Sequence, residues 1–238
     1  MIRKLILIFI ALSFFSVCFA GSIQDMHKAA IARKNVAVGT TVFDENFDNC
    51  DTGTGFGNCD ETWGTDADWT VTASAGTDSS NAAVYDGGTG QIYSLSNGFG
   101  AGDFEITFDV LVYSGTTDLD DYRYRMLDTS NNDGPAIYMR WRSDSTFDVY
   151  TWGHTEGAVS VVGNLSLDTW YTITINNISW ASHTFDIDVA IKDGASQGNA
   201  SGREFLNAST ANFDDIYITG ATANAMEGRI DNIKVVEY

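Results

Sequence analysis

The segment from Tyr122 to His154 carries the side chains best suited to binding chemistry. It contains three runs, YRYRM, IYMRWR and FDVYTW, in which apolar residues alternate with polar or aromatic ones. Side chains alternate between the two faces of a strand, so pairing the three apolar sets on one face gathers the intervening residues on the other. The residues gathered in this way are Arg123, Arg125, Tyr138, Arg140, Arg142, Asp148, Tyr150 and Trp152.

This group has the chemistry needed to bind a poly- or oligosaccharide. Aromatic rings provide platforms for the C–H face of a sugar, and planar guanidinium groups donate several hydrogen bonds to its hydroxyls. Guanidinium groups also bind carboxylate or sulfate in a bidentate manner, so an anionic glycan fits as well. The alternative is an ordinary solvated sheet face, in which Arg140 or Arg142 pairs with Asp148 across the strands.

A second candidate is the glycine-rich loop CDTGTGFGNC between Cys50 and Cys59. Its residue types admit a metal site, a phosphate-binding loop, a redox centre or a disulfide clasp. A zinc site needs four ligands, and His27, His154 and His183 are far away in the sequence. A redox pair would lie closer together and at the start of a helix. We therefore predict a disulfide that closes a ring of about ten residues.

Strands must position these groups, because most of the chain alternates with a period of two. In FEITFDVLVY, WYTITIN and TFDIDVAI apolar residues recur at every second position, and clusters of Gly, Ser, Asn and Asp separate such runs. Aromatic and β-branched residues, which favour strands, fill the runs. The pattern predicts an all-β fold, an antiparallel β-sandwich or jelly roll.

Three parts of the chain differ in composition. Residues 1–20 have a basic start, the apolar run LILIFIALSFF and a small-residue end, as in a secretory signal peptide. Residues 21–40 predict a short leader helix or linker, and residues 41–238 the jelly-roll domain. A lipoprotein acylated at Cys18 is the less favoured alternative, because bulky Val17 precedes it. We expect a secreted, periplasmic or cell-surface protein.

The formal net charge of −19 restricts the partners of the chain. The negative electrostatic field of such a chain repels nucleic acids and anionic membrane surfaces. No apolar run beyond residues 1–20 has the length of a membrane span. We therefore expect neither a nucleic acid partner nor a membrane span.

The order of several stretches carries a further signal. The predicted domain opens with FDENFDN and Trp63 or Trp69, continues with DFEITFDV, DGPAIYMRW, TFDVYTWG, TWYTITIN and HTFDIDV, and closes with GRIDNIKVVE. These stretches resemble the concanavalin A-like lectin and glucanase superfamily, in particular its laminin-G-like jelly-roll domains. The resemblance covers nearly all of residues 41–238. It consists of strand and aromatic patterns, so it implies the fold more than an activity.

The resemblance also implies a structural calcium ion. In such domains the first and last strands commonly lie side by side, and many of the domains hold calcium. Here this arrangement would bring Asp44, Glu45 and Asp48 near Asp231, and converging carboxylates suit this hard cation. The alternative is an ordinary acidic rim. Competing carboxylates are Asp51, Asp60 and Glu61, or Asp118, Asp120 and Asp121.

Several enzymes of the same class cleave glycans with acids spaced E-x-D-x-E along one strand. This chain departs from that spacing, because Thr107 stands between Glu105 and Asp109. Asp186 and Asp188 lack a third acid, and the chain has no serine nucleophile elbow or phosphate-binding motif. We therefore predict a non-catalytic, lectin-like carbohydrate-binding module. The alternatives are an extracellular adhesion or structural protein that binds another protein, and a glycan hydrolase or lyase.

Overall fold

Apolar residues alternate with polar ones in most of the β-strands that the structure describes. The structure is a computed structural model that describes residues 38–65, 68–88, 90–94, 98–114, 121–142, 145–220 and 222–238. The signal peptide predicted for residues 1–20 lies outside these ranges, as does the predicted leader helix apart from its last three residues. Within these ranges, no helix is long and apolar enough to cross a membrane.

The strands follow one another along the chain, and the longest connection between them comprises residues 46–62. In chain order they are β1 (Thr40–Glu45), β2 (Trp63–Thr65), β3 (Trp69–Thr72), β4 (Ala82–Gly88), β5 (Gln91–Ser94), β6 (Phe104–Ser114), β7 (Asp121–Leu127), β8 (Asp133–Trp141), β9 (Thr146–Gly153), β10 (Gly157–Ser166), β11 (Tyr171–Ser179), β12 (Thr184–Ile191), β13 (Ser196–Glu204), β14 (Asp215–Gly220) and β15 (Thr222–Glu237). A 3-10 turn, Thr77–Ser79, lies between β3 and β4.

These strands build two antiparallel sheets that form a sandwich. Sheet A has the order β13-β12-β11-β6-β15-β4-β3, and β1 pairs with β15 beside this path. Sheet B has the order β10-β9-β8-β7-β14-β5-β2. The first and last described strands therefore lie side by side, with Asp44 opposite Lys234. The predicted all-β antiparallel sandwich is confirmed.

Aromatic pairs between the sheets form the centre of the core. Phe108 of β6 stacks on Tyr124 of β7 with ring centroids 4.0 Å apart, and Phe147 of β9 meets Tyr171 of β11 edge-on at 5.5 Å. All four rings are buried. The Tyr124 hydroxyl has no hydrogen-bond partner in the described part of the chain, and burial raises its pKa above the usual range. Ring packing at this position outweighs the cost of about 1–3 kcal/mol for an unpaired hydroxyl.

A carboxylate clasp joins the two sheets at one edge. Glu204 ends β13 in sheet A, and it faces the turn between β9 and β10 of sheet B. The Thr155 hydroxyl donates to this carboxylate at 2.5 and 2.6 Å, and the backbone N–H groups of Thr155 and Glu156 donate to it at 2.9 and 3.0 Å. His154 Nδ1 lies 3.5 Å from the same carboxylate. The hydrogen bonds from Thr155 are the main reason that the pKa of Glu204 falls to about 2.

Replacing Thr155 by valine is expected to weaken this clasp in a pH-dependent way. The pKa of Glu204 is lower in the folded chain than its ordinary value of 4.5, so the ionised group stabilises the fold above that pH. This stabilisation is lost as the pH falls from 4.5 towards 2. Thr155→Val should therefore lower the melting temperature more at about pH 6 than at about pH 3.

Thermal unfolding followed by circular dichroism measures this difference, with Thr41→Val at an exposed position of β1 as the control. Equal losses of melting temperature at the two pH values would contradict the assignment of the clasp.

Candidate functional site

Neighbouring strands of sheet B bring the predicted binding residues to its outer face. β7 pairs with β8 and β8 with β9, so that Arg123, Tyr138 and Tyr150 lie side by side in one row. β10 extends this row with Ser160 opposite Tyr150. The alternate residues of the same strands are buried in the core between the sheets. Arg142 follows β8 and pairs with a carboxylate on the same face.

Two of the predicted aromatic residues are covered rather than open. The guanidinium carbon of Arg123 lies 5.1 Å from the ring centre of Tyr138, and that of Arg140 lies 4.2 Å from the ring centre of Tyr150. The two tyrosine rings stack with centroids 5.1 Å apart. Only 5% and 4% of their surfaces are exposed, because Leu206 also packs against them. The tyrosines therefore hold the arginines in place and do not offer free platforms.

Trp152 is the open aromatic ring of this face. It is 40% exposed, and its ring lies 5.8 Å from the ring of Tyr138. Trp152 is two residues from Tyr150 on β9, and therefore about 7 Å away along the strand on the same face. Its indole thus lies beside a buried tyrosine and keeps part of its surface open to solvent.

Among the described ion pairs, carboxylates pair with Arg125 and with Arg142. Arg125 pairs with Asp133 at 2.9 Å, and burial raises the pKa of Asp133 although Arg125 opposes this rise. Arg142 lies 3.4 Å from Asp148, which is the cross-strand pairing of the solvated-face alternative. The other oxygen of Asp148 accepts a hydrogen bond from the backbone N–H of Asn164 at 3.0 Å. Each oxygen of Asp148 therefore already has one partner.

Arg140 differs from these pairs. Its guanidinium group stacks on Tyr150 and donates a hydrogen bond to the hydroxyl of that residue. Among the described residues it forms no ion pair, and its Nε atom is buried without a hydrogen-bond partner. The guanidinium group of Arg140 is therefore held in a fixed position, and no carboxylate among the described residues forms an ion pair with it.

A cleft of about 220 Å³ opens beside this arginine. It lies over β8, β9 and β10. Its lining residues are Arg140, Arg142, Asp148, Tyr150, Ala158 and Ser160. Trp152 flanks the cleft, because Ala158 is its partner in the pairing of β9 with β10. The cleft thus combines two guanidinium groups, one carboxylate, two hydroxyls and a neighbouring indole.

Sequence reasoning missed the part of the face that β14 and β5 contribute. Arg125 lies 4.6 Å over the ring of Tyr217, which stacks on Tyr93 with centroids 6.2 Å apart. The Tyr217 hydroxyl is hydrogen-bonded to Gln91. The alternation in IYITG could have placed Tyr217 on an outer face, but the sequence does not show that β14 lies beside β7.

The four residues predicted to hold calcium lie near the paired strands β1 and β15 but do not converge. The side chain of Asp44 is 60% exposed and lies 3.5 Å from Lys234. Asp48 accepts a hydrogen bond from the backbone N–H of Asn81 at 2.9 Å. No three of the four predicted residues place carboxylate oxygens within 4.8 Å of one another.

The other two predicted ligands, Glu45 and Asp231, are buried and already accept hydrogen bonds. The donors to Glu45 are the backbone N–H groups of Phe47 and Glu61 and the indole of Trp63, at 2.7, 3.1 and 3.1 Å. The donors to Asp231 are the backbone N–H and hydroxyl of Thr77, the hydroxyl of Ser80 and the backbone N–H of Asn232, at 2.9, 3.1, 3.0 and 2.8 Å.

Burial raises the pKa of both Glu45 and Asp231. Calcium takes six to eight oxygen ligands, whereas these carboxylates are surrounded by N–H and O–H donors. The predicted residues therefore do not fit one calcium site as they are arranged, and calcium binding stays a prediction.

Cys50 and Cys59 form the predicted disulfide. Their sulfur atoms and a carboxylate oxygen of Glu45 lie within 4.8 Å of one another. Metal-binding cysteines are thiolates, and a disulfide has none, so this group is not a soft-metal site. Phe56 packs the enclosed loop onto Phe47 in the core at 5.9 Å.

Comparisons with known proteins bear on the fold. No protein-family model matches the chain, and no curated protein matches it in sequence. Among solved structures, the chain is similar to a conserved carbohydrate esterase from the Shiga toxin-encoding bacteriophage phi24B. The TM-score is 0.57 and the identity 15%, over 84% of this chain and 99% of that chain.

It is also similar to domain 4 of AbnA, an extracellular arabinanase from Geobacillus stearothermophilus solved with arabinotriose. The TM-score is 0.53 and the identity 13%, over 84% of this chain and 93% of that chain. For the exoplasmic/lumenal domain of VIP36, solved with Ca²⁺ and Man3GlcNAc, the TM-score is 0.50 and the identity 10%, over 74% of this chain and 84% of that chain.

The fold is a concanavalin A-like jelly roll. Identities this low show the fold alone. The neighbours with this jelly roll include both binding domains and glycan-active proteins. An assignment of function must therefore rest on the outer face of sheet B and its cleft.

Proposed function

We propose that this chain is a non-catalytic carbohydrate-binding module that binds a poly- or oligosaccharide on the outer face of sheet B, after export from the cell. The observation that carries the proposal is the cleft of about 220 Å³ beside Arg140, flanked by the half-open indole of Trp152. Neither feature contributes to the core, which the opposite face of the same strands completes.

Trp152 and the cleft bind different parts of the sugar. The open side of the indole receives the C–H face of a sugar ring. The adjacent cleft donates hydrogen bonds to sugar hydroxyls from Arg140, Arg142 and Ser160. Because Tyr150 holds the guanidinium of Arg140 by stacking and a hydrogen bond, little side-chain freedom is lost when a ligand binds.

The preferred ligand is an anionic glycan. Two guanidinium groups line the cleft against one carboxylate, and that carboxylate is engaged by Arg142 and Asn164. A uronate carboxylate or a sulfate would supply the missing anion for Arg140 in a bidentate contact. The negative charge of the whole chain does not oppose this contact strongly, because salt screens charges beyond about 8 Å at physiological ionic strength.

The composition of the cleft supports binding without hydrolysis. Glycosidases place two carboxyl groups about 5–9.5 Å apart across the scissile bond. Among the residues that line the cleft, Asp148 is the one carboxylate, and both of its oxygens have partners. Release of reducing ends or unsaturated uronate products from a bound polysaccharide would overturn this part of the proposal.

Removing the indole or the unpaired guanidinium should abolish most glycan binding while the fold is retained. Trp152→Ala and Arg140→Ala are each expected to weaken binding about tenfold or more, as for other exposed anchors. Isothermal titration with a ligand found on a glycan array measures the loss. Trp152→Tyr keeps a ring and Lys234→Ala lies on sheet A, so both controls should bind nearly normally. Unchanged binding by both alanine variants would contradict the proposal.

The anionic preference has its own test. Oligogalacturonate should bind more tightly than the same oligosaccharide with its carboxylates methyl-esterified, by about tenfold, because the ester cannot form the bidentate contact with Arg140. Titration with sulfated oligosaccharides shows whether the site prefers a sulfate or a carboxylate group. Equal affinity for the acid and its ester in the unmodified protein would contradict the preference while leaving glycan binding itself intact.

Calcium binding can be tested by thermal melting. Since Glu45 and Asp231 already accept hydrogen bonds from the protein, an ion would have to replace these donors. We therefore expect the melting temperatures in EDTA and in millimolar calcium to agree within about 2 °C. A rise of about 5 °C or more with calcium, abolished by Asp231→Asn, would restore the predicted ion.

A further inference from the structure

We propose a second glycan-binding site on the outer face of sheet A, selective for neutral sugars. It is a cleft of about 510 Å³ at the start of β6. The polar residues around it are Asp103, Glu105, Asn176 and Asn177, and its exposed aromatic residue is Tyr238. Nothing in this site is shared with the cleft on sheet B, so the inference does not depend on the function proposed for that cleft.

The site is built on rigid parts of the fold. Its apolar lining consists of Phe104 and Ile178, which are 3% and 5% exposed and belong to the core. Phe104 begins β6, and β15 lies directly beside it. The loop before β6 is fixed by a hydrogen bond of 3.0 Å from the Trp180 indole to the carbonyl of Gly102. A ligand would therefore meet a preformed surface.

Tyr238 provides an aromatic platform at one side of this cleft. Its backbone N–H donates to the carbonyl of Asp103 at 2.9 Å, which fixes the position of the residue. Half of the Tyr238 surface is exposed, in contrast to the buried tyrosines of sheet B. An exposed ring on a fixed backbone suits the C–H face of a sugar.

Three polar side chains at the cleft are available to a ligand. Asp103, Glu105 and Asn176 make no side-chain hydrogen bond or ion pair with any residue that the structure describes. Asn177, by contrast, donates to Asp186 at 2.8 Å. Carboxylates accept hydrogen bonds from sugar hydroxyls, and the amide of Asn176 both donates and accepts. This combination recognises adjacent hydroxyl groups.

The charge of the cleft decides between neutral and anionic sugars. Two carboxylates line it, and no lysine or arginine is among its lining residues. Lys234, on the same face of sheet A, is already paired with Asp44. A uronate or sulfate would meet uncompensated negative charge, whereas a neutral sugar would not. The cleft on sheet A and the cleft on sheet B thus have opposite ligand preferences.

The test uses isothermal titration of the whole exported chain with the neutral probes cellotetraose, mannotetraose and arabinotriose. At least one probe should bind, and Glu105→Gln and Tyr238→Ala should each weaken that binding about tenfold or more. Glu227→Gln is the matched control, because Glu227 pairs with Ser114 at the opposite end of β6. Asn176→Ala is a further variant in case Tyr238→Ala alters folding.

The variants also separate this site from the one on sheet B. Trp152→Ala should leave neutral-sugar binding unchanged, and Glu105→Gln should leave oligogalacturonate binding unchanged. The proposal is overturned if no neutral probe binds, if Glu105→Gln and Asn176→Ala have no effect, or if only Trp152→Ala removes neutral-sugar binding. If oligogalacturonate does not bind the unmodified protein, this result counts against the sheet B site alone.

Discussion

The outer faces of both sheets depend on the apolar layer between the sheets. In that layer the ring of Phe108 stacks on the ring of Tyr124, with centroids 4.0 Å apart. A slip of one residue in the pairing of β7 would turn Tyr124 outward and direct Arg123 and Arg125 into the core. Burial of an unpaired guanidinium group costs far more than burial of the tyrosine hydroxyl. The apolar layer therefore fixes the register, and the register fixes which side chains reach the surface.

The two outer faces use their polar residues differently. On sheet B, tyrosine rings lie beneath arginine side chains and hold their guanidinium groups in a defined orientation. On sheet A, buried Asp109 is compensated by Lys192 at 2.9 Å and by the hydroxyl of Thr172 at 2.6 Å. At the start of β6, on that same sheet, the carboxylates of Asp103 and Glu105 have no such partners among the described residues. In the described part of the chain, charge without an ion-pair partner thus lies beside the sheet A and sheet B clefts, whereas the buried carboxylate of Asp109 is compensated.

The alternation of apolar residues was sufficient to predict the sandwich and the shared face of β7, β8 and β9. It predicted that Arg123, Tyr138 and Tyr150 would share one face, because side-chain direction depends only on parity within paired strands. It could not predict that Leu206 would cover the tyrosines, since that contact joins a loop to strands more than fifty residues earlier. The contribution of Tyr217 was missed for the same reason.

The acidic residues near the paired ends of β1 and β15 show a second limit of sequence reasoning. β1 does pair with β15, as the calcium hypothesis required. The alternation of side chains along a strand, however, does not show which hydrogen-bond donors will surround a buried carboxylate. Asp231 meets the Thr77 turn, and Glu45 meets the indole of Trp63, so each acid is satisfied separately. Contacts of this kind depend on how loops fold over the sheets, which short-range patterns do not encode.

Nuclear magnetic resonance of the tryptophan indole N–H groups tests the central claim most directly. Each indole gives its own signal, and Trp152 is the indole beside the sheet B cleft. The account predicts that an acidic oligosaccharide shifts the Trp152 signal progressively and leaves the signal of buried Trp69 in place. An unchanged Trp152 signal at saturating concentrations of every glycan that binds the protein would contradict it.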